Sequence, residues 1–281
     1  MDQGGVRQLF VRDGLNRQLK DLDALIKPSI RLNAFPVDDA KLQPGVSKLG
    51  GLPDLPPDVA WPVWNGFPQS FIAQIRLQDA HPYDADHLLP AQGMLWFFYD
   101  AHQETYGDEP ANRGGWSVFF KELPARLKRA SAPTRLPSSS LFKAAAVRFS
   151  RELTLAQIPD LEIANFDWTD EEQQQYDDLL ADFIPPDERP FRHRLLGNPD
   201  IIQDDLRMQC QLISHGVTGD DDPREQELAS GAREWQLLFQ VDTDERIGMR
   251  WASSGMLYYS ITTGDLCSQR FDNTWLILQS E

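Results

Sequence analysis

Apolar and polar residues alternate along much of this chain with the period of β-strands. Residues 70–77 place alternate apolar side chains on one face, namely Phe71, Ala73, Ile75 and Leu77, and such alternation is typical of a half-buried strand. Residues 93–99 are almost continuously apolar, which predicts a central strand. Further strands are predicted over residues 29–35, 116–123, 145–150, 235–242, 255–259 and 275–278, and around Met208, Cys210 and Leu212.

Residues 6–27 and 169–183 carry helical spacing instead. In the first segment apolar residues recur every three to four positions, and Gly14 marks a break between two shorter helices. In the second segment Thr169 is the predicted N-cap, and Pro185-Pro186 ends the helix. We therefore expect a few helices at the periphery of a sheet.

Three segments show neither period. Residues 48–62 are dense in glycine and proline, which predicts an ordered loop or an extended edge segment. Residues 124–140 combine prolines, serines and basic residues, which is typical of an exposed connection. Residues 216–231 form a polar stretch that we interpret as a loop inserted into the second half.

The second half of the chain repeats short motifs of the first half in the same order. The matched pairs are Gly50-Gly51-Leu52-Pro53-Asp54 with Leu196-Gly197-Asn198-Pro199-Asp200, the strand around Gln74 with that around Gln240, Gly93-Met94-Leu95 with Gly255-Met256-Leu257, and Trp116 with Trp275. These matches predict pseudo-repeat one at about 45–125, a connector at about 126–190 and pseudo-repeat two at about 191–281. Neither copy has enough apolar strand to fold alone, so we expect a single cooperative domain over residues 1–281. The predicted fold class is α+β, with duplicated, mainly antiparallel β-sheet units packed together and a few peripheral helices.

Charge and composition narrow the partner class. The net charge of −16 repels phosphate backbones and anionic membranes, so we expect no nucleic-acid partner and no membrane partner. Four basic residues cluster at Arg126, Lys128, Arg129 and Arg135, and we interpret them as a solvated linker. The twenty prolines and eight tryptophans favour short strands joined by turns.

The cysteines and the N-terminus indicate a cytoplasmic protein. Residues 1–5 lack the basic and apolar regions of a secretory signal, and no apolar stretch approaches the roughly 20 residues of a membrane helix. Cys210 and Cys267 are far apart in the sequence, and we expect two buried free thiols rather than a disulfide.

No motif in the sequence predicts a reaction. Gly50-Gly51 belongs to no phosphate-binding pattern, and the histidines show no metal-ligand spacing. Cys210 is predicted to be a buried, inert thiol. We therefore predict no catalytic residues, no metal site and no cofactor.

Gln74 and Gln240 are polar residues within apolar strands at matched places. A buried amide requires hydrogen-bond partners, so one interpretation is that each glutamine ties down the Gly-x-Pro-Asp loop of its own copy. In the other interpretation, a cleft between the repeats binds a ligand. The candidate cleft residues are Lys48, Trp61, Trp64, Gln74, His193, Gln203, Gln240, Asp242 and Trp251. Of the tryptophans, Trp61, Trp64 and Trp251 are the candidates for an exposed surface, whereas Trp116 and Trp275 are expected to be structural.

Segments over about 45–281 resemble the YwqG-like family of bacterial proteins. The similarity is carried by SKLGGLPDLPPDVAWP, FIAQIRL and GMLWFFYD in the first half, and by HRLLGNPDIIQDDLRMQCQL, WQLLFQVD and RFDNTWLILQ in the second. The resemblance implies a distant similarity to eukaryotic programmed-cell-death-type proteins that escort a ribosomal protein, and accessory or immunity roles beside toxins. It favours a protein-binding role by analogy.

Three functions remain open from the sequence. The leading hypothesis is a non-enzymatic protein-binding module, monomeric or weakly dimeric, that offers a groove or a sheet edge to a basic partner such as a ribosomal protein or a cationic toxin. The alternatives are binding of a carbohydrate or another small ligand between the repeats, and an uncharacterised hydrolase.

Overall fold

A computed structural model of the chain describes residues 1–122, 126–163, 166–183, 191–219 and 222–281. The strands are β1 (Lys27–Pro36), β2 (Lys48–Leu49), β3 (Asp54–Leu55), β4 (Val63–Trp64), β5 (Phe67–Pro68), β6 (Ser70–Arg76), β7 (Met94–Tyr99), β8 (Trp116–Lys121), β9 (Lys128–Arg129), β10 (Ala145–Thr154), β11 (Arg194–Leu195), β12 (Trp235–Asp242), β13 (Gly255–Thr262) and β14 (Trp275–Ser280). The α-helices are α1 (Gln3–Arg12), α2 (Leu19–Ala24), α3 (Leu77–Ala80), α4 (Pro159–Glu162), α5 (Asp170–Phe183), α6 (Leu206–Ser214), α7 (Glu225–Leu228) and α8 (Thr263–Cys267). Short 3-10 helices cover Asp39–Lys41, His81–Tyr83, Pro110–Asn112, Ser138–Ser140, Ala229–Glu234 and Phe271–Asn273.

Ten of the described strands form one sheet, in which all neighbouring strands pair antiparallel. Their order is β14-β13-β12-β11-β1-β10-β2-β6-β7-β8. The long strands β1 and β10 pair over their whole length in the middle. The sheet confirms a mixed helix-and-strand fold with a large antiparallel sheet and few helices.

The strand order is the same on both sides of the β1–β10 pair. Moving outward, a two-residue strand (β2 or β11) is followed by three longer strands that pair consecutively. The first long strand on each side has a register shift, between Phe71 and Ala73 in β6 and between Leu237 and Phe239 in β12. Two similar four-strand arrangements therefore flank the central pair.

The sheet curves until its outer strands β8 and β14 approach each other, which makes it nearly barrel-shaped. The rings of Trp116 and Trp275 meet edge to face, with centroids 5.0 Å apart. The indole N–H of Trp275 donates to the Gly107 carbonyl at 2.9 Å. Gly107 has φ +80, and a Cβ there would lie 1.8 Å from the carbonyl oxygen of Leu276, so glycine is required at this closure.

One continuous core joins the two sides of the sheet. Phe97 of β7 contacts Phe239 of β12 and Tyr259 of β13, with ring centroids 4.6 and 5.2 Å apart. These rings belong to one cluster of buried side chains contributed by both sides. A second cluster packs α1 and α5 against each other, with Phe10 and Tyr176 at its centre.

Local sequence signals account for the helix boundaries. The Asp2 side chain accepts from the backbone N–H of Gly5 and caps α1, and Gly14, at φ +86, follows that helix as the predicted break. Before α5, the Thr169 hydroxyl accepts from the Glu172 backbone N–H at 3.2 Å, while the Glu172 carboxylate accepts from the Thr169 backbone N–H at 2.9 Å. This reciprocal capping box confirms Thr169 as the N-cap.

Two predictions about secondary structure are wrong. The segment around Met208, Cys210 and Leu212 is the helix α6 rather than a strand. Its buried residues Leu206, Cys210 and Ile213 follow a helical spacing that the alternating pattern obscured. In β6, Phe71 does not share a face with Ala73, because the register shift between them turns Phe71 toward a separate cluster.

Two predictions about burial are also wrong. Cys267 is exposed at the end of α8, whereas Cys210 is buried as expected, and both are free thiols. Trp251, predicted to be a surface candidate, is fully buried and packs against Tyr99 and Phe142. The serine- and glycine-flanked sequence around Trp251 resembles a loop, but its ring fills the core beneath that loop.

Some predictions fall on residues outside the described ranges: the helix stop at Pro185-Pro186, residue 123 of the strand predicted over 116–123, and residues 124–125 of the connection predicted over 124–140. None of the helices in the described part of the chain has the length and apolar character that crossing a lipid bilayer requires.

Candidate functional site

Each side of the sheet carries a Gly-x-Pro-Asp loop that one buried glutamine holds in place. In the first half, Gln74 Oε1 accepts from the backbone N–H of Asp54 at 2.8 Å, and Gln74 Nε2 donates to Asp54 Oδ2 at 2.7 Å. The same Nε2 donates to the Val46 carbonyl at 2.8 Å. The amide of this fully buried side chain is therefore satisfied.

The second half repeats these contacts. Gln240 Oε1 accepts from the backbone N–H of Asp200 at 2.9 Å, and Nε2 donates to Asp200 Oδ2 and to the Arg192 carbonyl, each at 2.8 Å. Gln240 is also fully buried. The interpretation in which each glutamine ties down the loop of its own half is thus confirmed.

A third contact is matched on both sides. The indole N–H of Trp96 donates to the Asp54 carbonyl at 2.9 Å, and the hydroxyl of Tyr258 donates to the Asp200 carbonyl. Both donors lie on the second long strand of their side. The aspartate of each loop is therefore fixed through its N–H, its carbonyl and its carboxylate.

A buried cation compensates the carboxylate of the first loop. Lys48 is fully buried, and its Nζ lies 2.8 Å from Asp39 Oδ1 and 3.9 Å from Asp54 Oδ2. Arg129 Nε donates to Asp54 Oδ1 at 2.8 Å. Burial lowers the pKa of Lys48 despite these carboxylates. Burial alone would raise the pKa of Asp54, but the hydrogen bonds that it accepts, from Arg129 first, lower it.

The second loop uses an arginine at the matching position. Arg194 is buried, and its Nε lies 3.2 Å from Glu152 Oε2 while Nη2 lies 2.7 Å from Asp200 Oδ2. Its Nη1 donates to the Asn198 carbonyl at 3.0 Å. Burial would lower the pKa of Arg194, but the two carboxylates raise it. The planar guanidinium thus contacts Glu152, Asp200 and Asn198 with three different nitrogen atoms.

His193 lies beside this second loop and is fully buried. Its Nδ1 accepts from the Asp242 backbone N–H at 3.1 Å, and its Nε2 lies 3.7 Å from Asp244 Oδ2. Arg246 donates to Asp244 from Nε and Nη2 at 2.9 and 2.7 Å. Burial would raise the pKa of Asp244, but Arg246 and His193 hold it well below its usual range. This arrangement is a structural ion pair that fixes the turn after β12.

The structure divides the nine candidate cleft residues between different environments. Lys48, Gln74, His193 and Gln240 are fully buried and bound to protein groups. Trp251 is also fully buried, and its indole nitrogen has no hydrogen-bond partner among the described residues. Trp61 is half-buried, and its indole N–H donates to the Gln69 carbonyl at 2.8 Å. Gln203 is exposed, Asp242 is half-buried, and Trp64 lines a surface pocket.

The predicted structural residues occupy the loops and the sheet edges. Gly50, Gly51 and Pro53 lead to Asp54, and Gly197 and Pro199 lead to Asp200. Gly50 and Leu196, at matched positions, have φ +59 and +60. Gly93 and Gly255 lie where β7 and β13 begin.

Trp116 and Trp275 are not strictly equivalent in the strand ladders. Trp116 pairs with Tyr99, whereas Trp275 pairs with Ser260. Met94 and Met256 occupy matched places. Tyr99 is five residues beyond Met94, whereas Ser260 is four residues beyond Met256, so the two tryptophans are offset by one residue pair. They meet at the closure of the sheet instead of repeating one core position.

A surface pocket of about 470 Å³ lies beside the β4–β5 hairpin, and we call it the hairpin pocket. Its lining residues are Trp64, Asn65, Phe67, Asp100, His102, Glu104, Thr105, Ala111 and Asn112. Asn65 and Gly66 form the hairpin turn, both with positive φ, and Asn-Gly is the strongest short hairpin signal. The turn places Trp64 and Phe67 opposite each other across the hairpin.

Contacts behind the pocket fix its walls. Trp64 packs against Gly114, where a Cβ would lie 2.6 Å from the Trp64 ring. Phe67 meets the His102 ring edge to face at 4.6 Å, and the Arg135 guanidinium lies 4.7 Å from the Phe67 ring centre. Asp100 accepts from the Thr105 hydroxyl at 2.7 Å and from the backbone of its own loop. The pocket thus has aromatic walls and a braced carboxylate.

The chemistry of the hairpin pocket suits a cation. Two carboxylates, Asp100 and Glu104, line it beside the rings of Trp64 and Phe67. No lysine or arginine is among its described lining residues, although Arg135, outside the lining, lies over the Phe67 ring. Within the described part of the chain, Glu104 has no cationic partner. Aromatic faces and carboxylates both attract ammonium and guanidinium groups.

Sequence reasoning named Trp64 but missed Phe67, Asp100, His102 and Glu104. The Asn65-Gly66 turn between two short apolar pairs was a signal that predicts the hairpin. The loop after β7 carried no comparable signal, because only the fold brings it against the hairpin. Within the described ranges, no group of three or more His, Cys, Asp or Glu side chains is placed to hold a metal ion.

The similarity to known proteins covers most of this fold but not its first strand, β1. None of the curated proteins compared with the chain matches it. One family, described as Domain of unknown function (DUF1963), matches residues 47–280. The match runs from the strand before the first Gly-x-Pro-Asp loop to the last strand of the sheet. The chain therefore belongs to the DUF1963 family.

Proposed function

We propose that this protein is a non-enzymatic protein-binding module that captures a basic segment of a partner in the hairpin pocket. The observation that carries the proposal is the pairing of aromatic walls with the carboxylates of Asp100 and Glu104 in one surface pocket. A lysine or arginine side chain gains both a cation–π contact and a charge-assisted hydrogen bond there.

Exposed residues next to the pocket extend the surface. Val63 of the hairpin is 60% exposed, and Tyr106 of the facing loop is 43% exposed. Asp108 and Glu109 are exposed on the same loop. Apolar contacts bordered by acidic residues fit a partner segment that mixes basic and apolar side chains.

The overall charge supports the same partner class. A net charge of −16 attracts a basic protein over a distance and raises its association rate. The YwqG-like resemblance supports a partner such as a ribosomal protein or a cationic toxin. A cytoplasmic location and a monomeric or weakly dimeric state remain parts of this proposal.

We infer further that the two sides of the sheet descend from duplication of one unit. Three observations support this inference: Gln74 and Gln240 make the same hydrogen bonds, β6 and β12 each have a register shift, and the strand order is the same on both sides of the central pair. The hairpin β4–β5 follows the first loop, whereas α6 and α7 follow the second, in the place of the inserted segment. The described lining residues of the hairpin pocket all belong to the first copy.

A fluorescent decapeptide of alternating arginine and glycine tests the binding proposal by anisotropy. We expect saturable binding that weakens when salt rises from about 20 to 200 mM. Trp64→Ala and Glu104→Gln should each raise the dissociation constant of the peptide about tenfold. Glu245→Gln is the matched control, because it changes the net charge equally at an exposed position outside the pocket.

Three outcomes would contradict the proposal: no binding of the arginine peptide, equal binding of a peptide with glutamate in place of arginine, or equal weakening in Glu245→Gln. The last outcome would indicate attraction to net charge alone. Circular dichroism of each variant verifies that its fold is intact.

A further inference from the structure

A second cavity, of about 230 Å³, lies between the start of β1, the second Gly-x-Pro-Asp loop and helix α6. It is partly enclosed and draws residues from both halves of the chain, including Leu88 from the first and Trp235 from the second. Gly197, Asn198 and Pro199 of the loop form part of its wall. It is separate from the hairpin pocket and shares no lining residue with it.

Polar side chains form a linked row along this cavity. Glu162 Oε1 lies 2.8 Å from Arg207 Nη1, and Glu162 Oε2 lies 3.5 Å from Lys27 Nζ. Arg207 Nε also donates to Asp205 Oδ1 at 3.3 Å. Donors and acceptors therefore alternate at fixed positions on one wall.

Apolar surface forms the remainder of the wall. Trp235 is buried, and its indole N–H donates to Gln211 Oε1 at 2.9 Å. Its one polar atom is therefore engaged, and the part that borders the cavity is hydrocarbon. Leu206, Leu237 and Ile201 line the cavity as well.

The charges around the cavity oppose an ionic ligand. Two cationic side chains, Lys27 and Arg207, alternate with the carboxylates of Glu162 and Asp205, and Asp86 also lines the cavity. An anion placed there meets the carboxylates, and a cation meets the two basic groups. A neutral ligand with several hydroxyl groups avoids both costs, because each hydroxyl donates to a carboxylate and accepts from a cation.

We propose that this cavity binds a neutral, polyhydroxylated small molecule, with its hydroxyl groups on the Lys27–Glu162–Arg207 row and its carbon skeleton against Trp235. The volume of the cavity limits the ligand class further. A cavity of about 150 Å³ holds benzene, so by proportion a cavity of about 230 Å³ holds roughly nine or ten non-hydrogen atoms. A pentose or a five-carbon polyol has this size.

The corresponding place in the first half differs. The groove beside Gly51 and Leu52 is wider and more open, and Leu141, 42% exposed, stands at its rim. In the second half, α4 and α6 contribute the covering residues Glu162 and Arg207. The wide groove therefore provides a control for effects of substitution at a cavity rim.

Isothermal titration calorimetry with ribose, xylose and arabitol tests the proposal, with 1,5-pentanediol as a ligand of matched length that lacks vicinal hydroxyls. We expect saturable heat from at least one of the three polyols at concentrations up to about 10 mM, where ligands of this size bind. Leu88→Trp places a large ring at the rim, where Leu88 is 38% exposed, and should abolish that heat. Glu162→Gln should weaken binding about tenfold, and Leu141→Trp should leave it unchanged.

The proposal is overturned if none of the three polyols gives saturable heat, if pentanediol binds as well as they do, or if Leu88→Trp binds with unchanged affinity. Thermal melting of each variant without ligand separates loss of binding from loss of the fold. Because Leu88 is a partly exposed rim residue, we expect its melting temperature to remain near that of the parent.

Discussion

Gln74 holds Asp54 at two points, since it accepts from the Asp54 backbone N–H at 2.8 Å and donates to the Asp54 carboxylate at 2.7 Å. An amide side chain suits this pair of bonds, because its oxygen accepts and its nitrogen donates. The same pair of bonds joins Gln240 to Asp200. One residue type thereby fixes the conformation of both loops.

Replacing either glutamine by alanine should destabilise the protein. Gln74→Ala leaves the buried N–H of Asp54 and the Val46 carbonyl without their partner, so the free energy of unfolding should fall by about 3 kcal/mol. Gln240→Ala should have an effect of similar size. Urea denaturation followed by tryptophan fluorescence measures both changes.

Gln236→Ala is the control for these substitutions. Gln236 is half-buried on β12, and among the described residues its amide reaches only the Thr263 hydroxyl, at 3.4 Å. Its loss should change the free energy of unfolding by no more than about 0.5 kcal/mol. If the free energy of unfolding falls equally in all three variants, the two hydrogen bonds to the loop aspartate make no special contribution to stability.

Protonation of Asp244 should make the free energy of unfolding depend on pH in the acid range. Its pKa in the folded protein lies well below the usual 3.8, because Arg246 and His193 outweigh the effect of burial. Its stabilising contribution is therefore complete above about pH 4 and is lost as the pH falls toward the lowered pKa. Between about pH 4 and pH 2, the free energy of unfolding should fall less steeply with falling pH in Asp244→Asn than in the parent. The two slopes should differ by up to roughly 1.4 kcal/mol per pH unit.

Asp177→Asn serves as the control, because Asp177 is exposed on α5. Urea titrations at several pH values give the slope for each variant. Identical slopes for Asp244→Asn and the parent would show that Asp244 titrates alike in the folded and unfolded states.

The two cysteines should differ in reactivity. Cys210 is buried and its pKa is raised to about 12, with burial as the main cause, so at pH 8 only about one thiol in ten thousand is ionised. Cys267 is exposed. A chromogenic disulfide reagent should therefore titrate one thiol per native chain and two in denaturant.

Substitution assigns the reactive thiol. Cys267→Ser should remove the native reaction, and Cys210→Ser should retain it. Rapid reaction of two thiols in the native protein would contradict the burial of Cys210 in α6.

Much of the sheet was predictable because each long strand satisfies its own sequence pattern. β6, β7, β12 and β13 lie close to their predicted bounds, since their apolar side chains are buried on at least one face. The role of Gln74 was also predictable, because a polar residue within an apolar strand must find partners in its vicinity. These signals are local and need no knowledge of the fold.

Other features depend on contacts that a local pattern does not contain. The face of Phe71 is set by a register shift, and the alternation of residues on either side of a bulge gives no warning of it. The helix α6 was predicted as a strand because a short apolar run fits both periods. The hairpin pocket joins Trp64 to Glu104 across two loops, and that contact arises only when the sheet has formed.

The closure of the sheet has a consequence for the newly made chain. The bond between Trp275 and Gly107 joins positions 168 residues apart, and at about 5–20 residues per second a ribosome needs roughly ten to thirty seconds to make that length. During this interval the outer edge of β8 has no β14 beside it, and an unprotected strand edge is a template for pairing with other chains. The edge of β8 is thus uncovered from its own synthesis until β14 has been made.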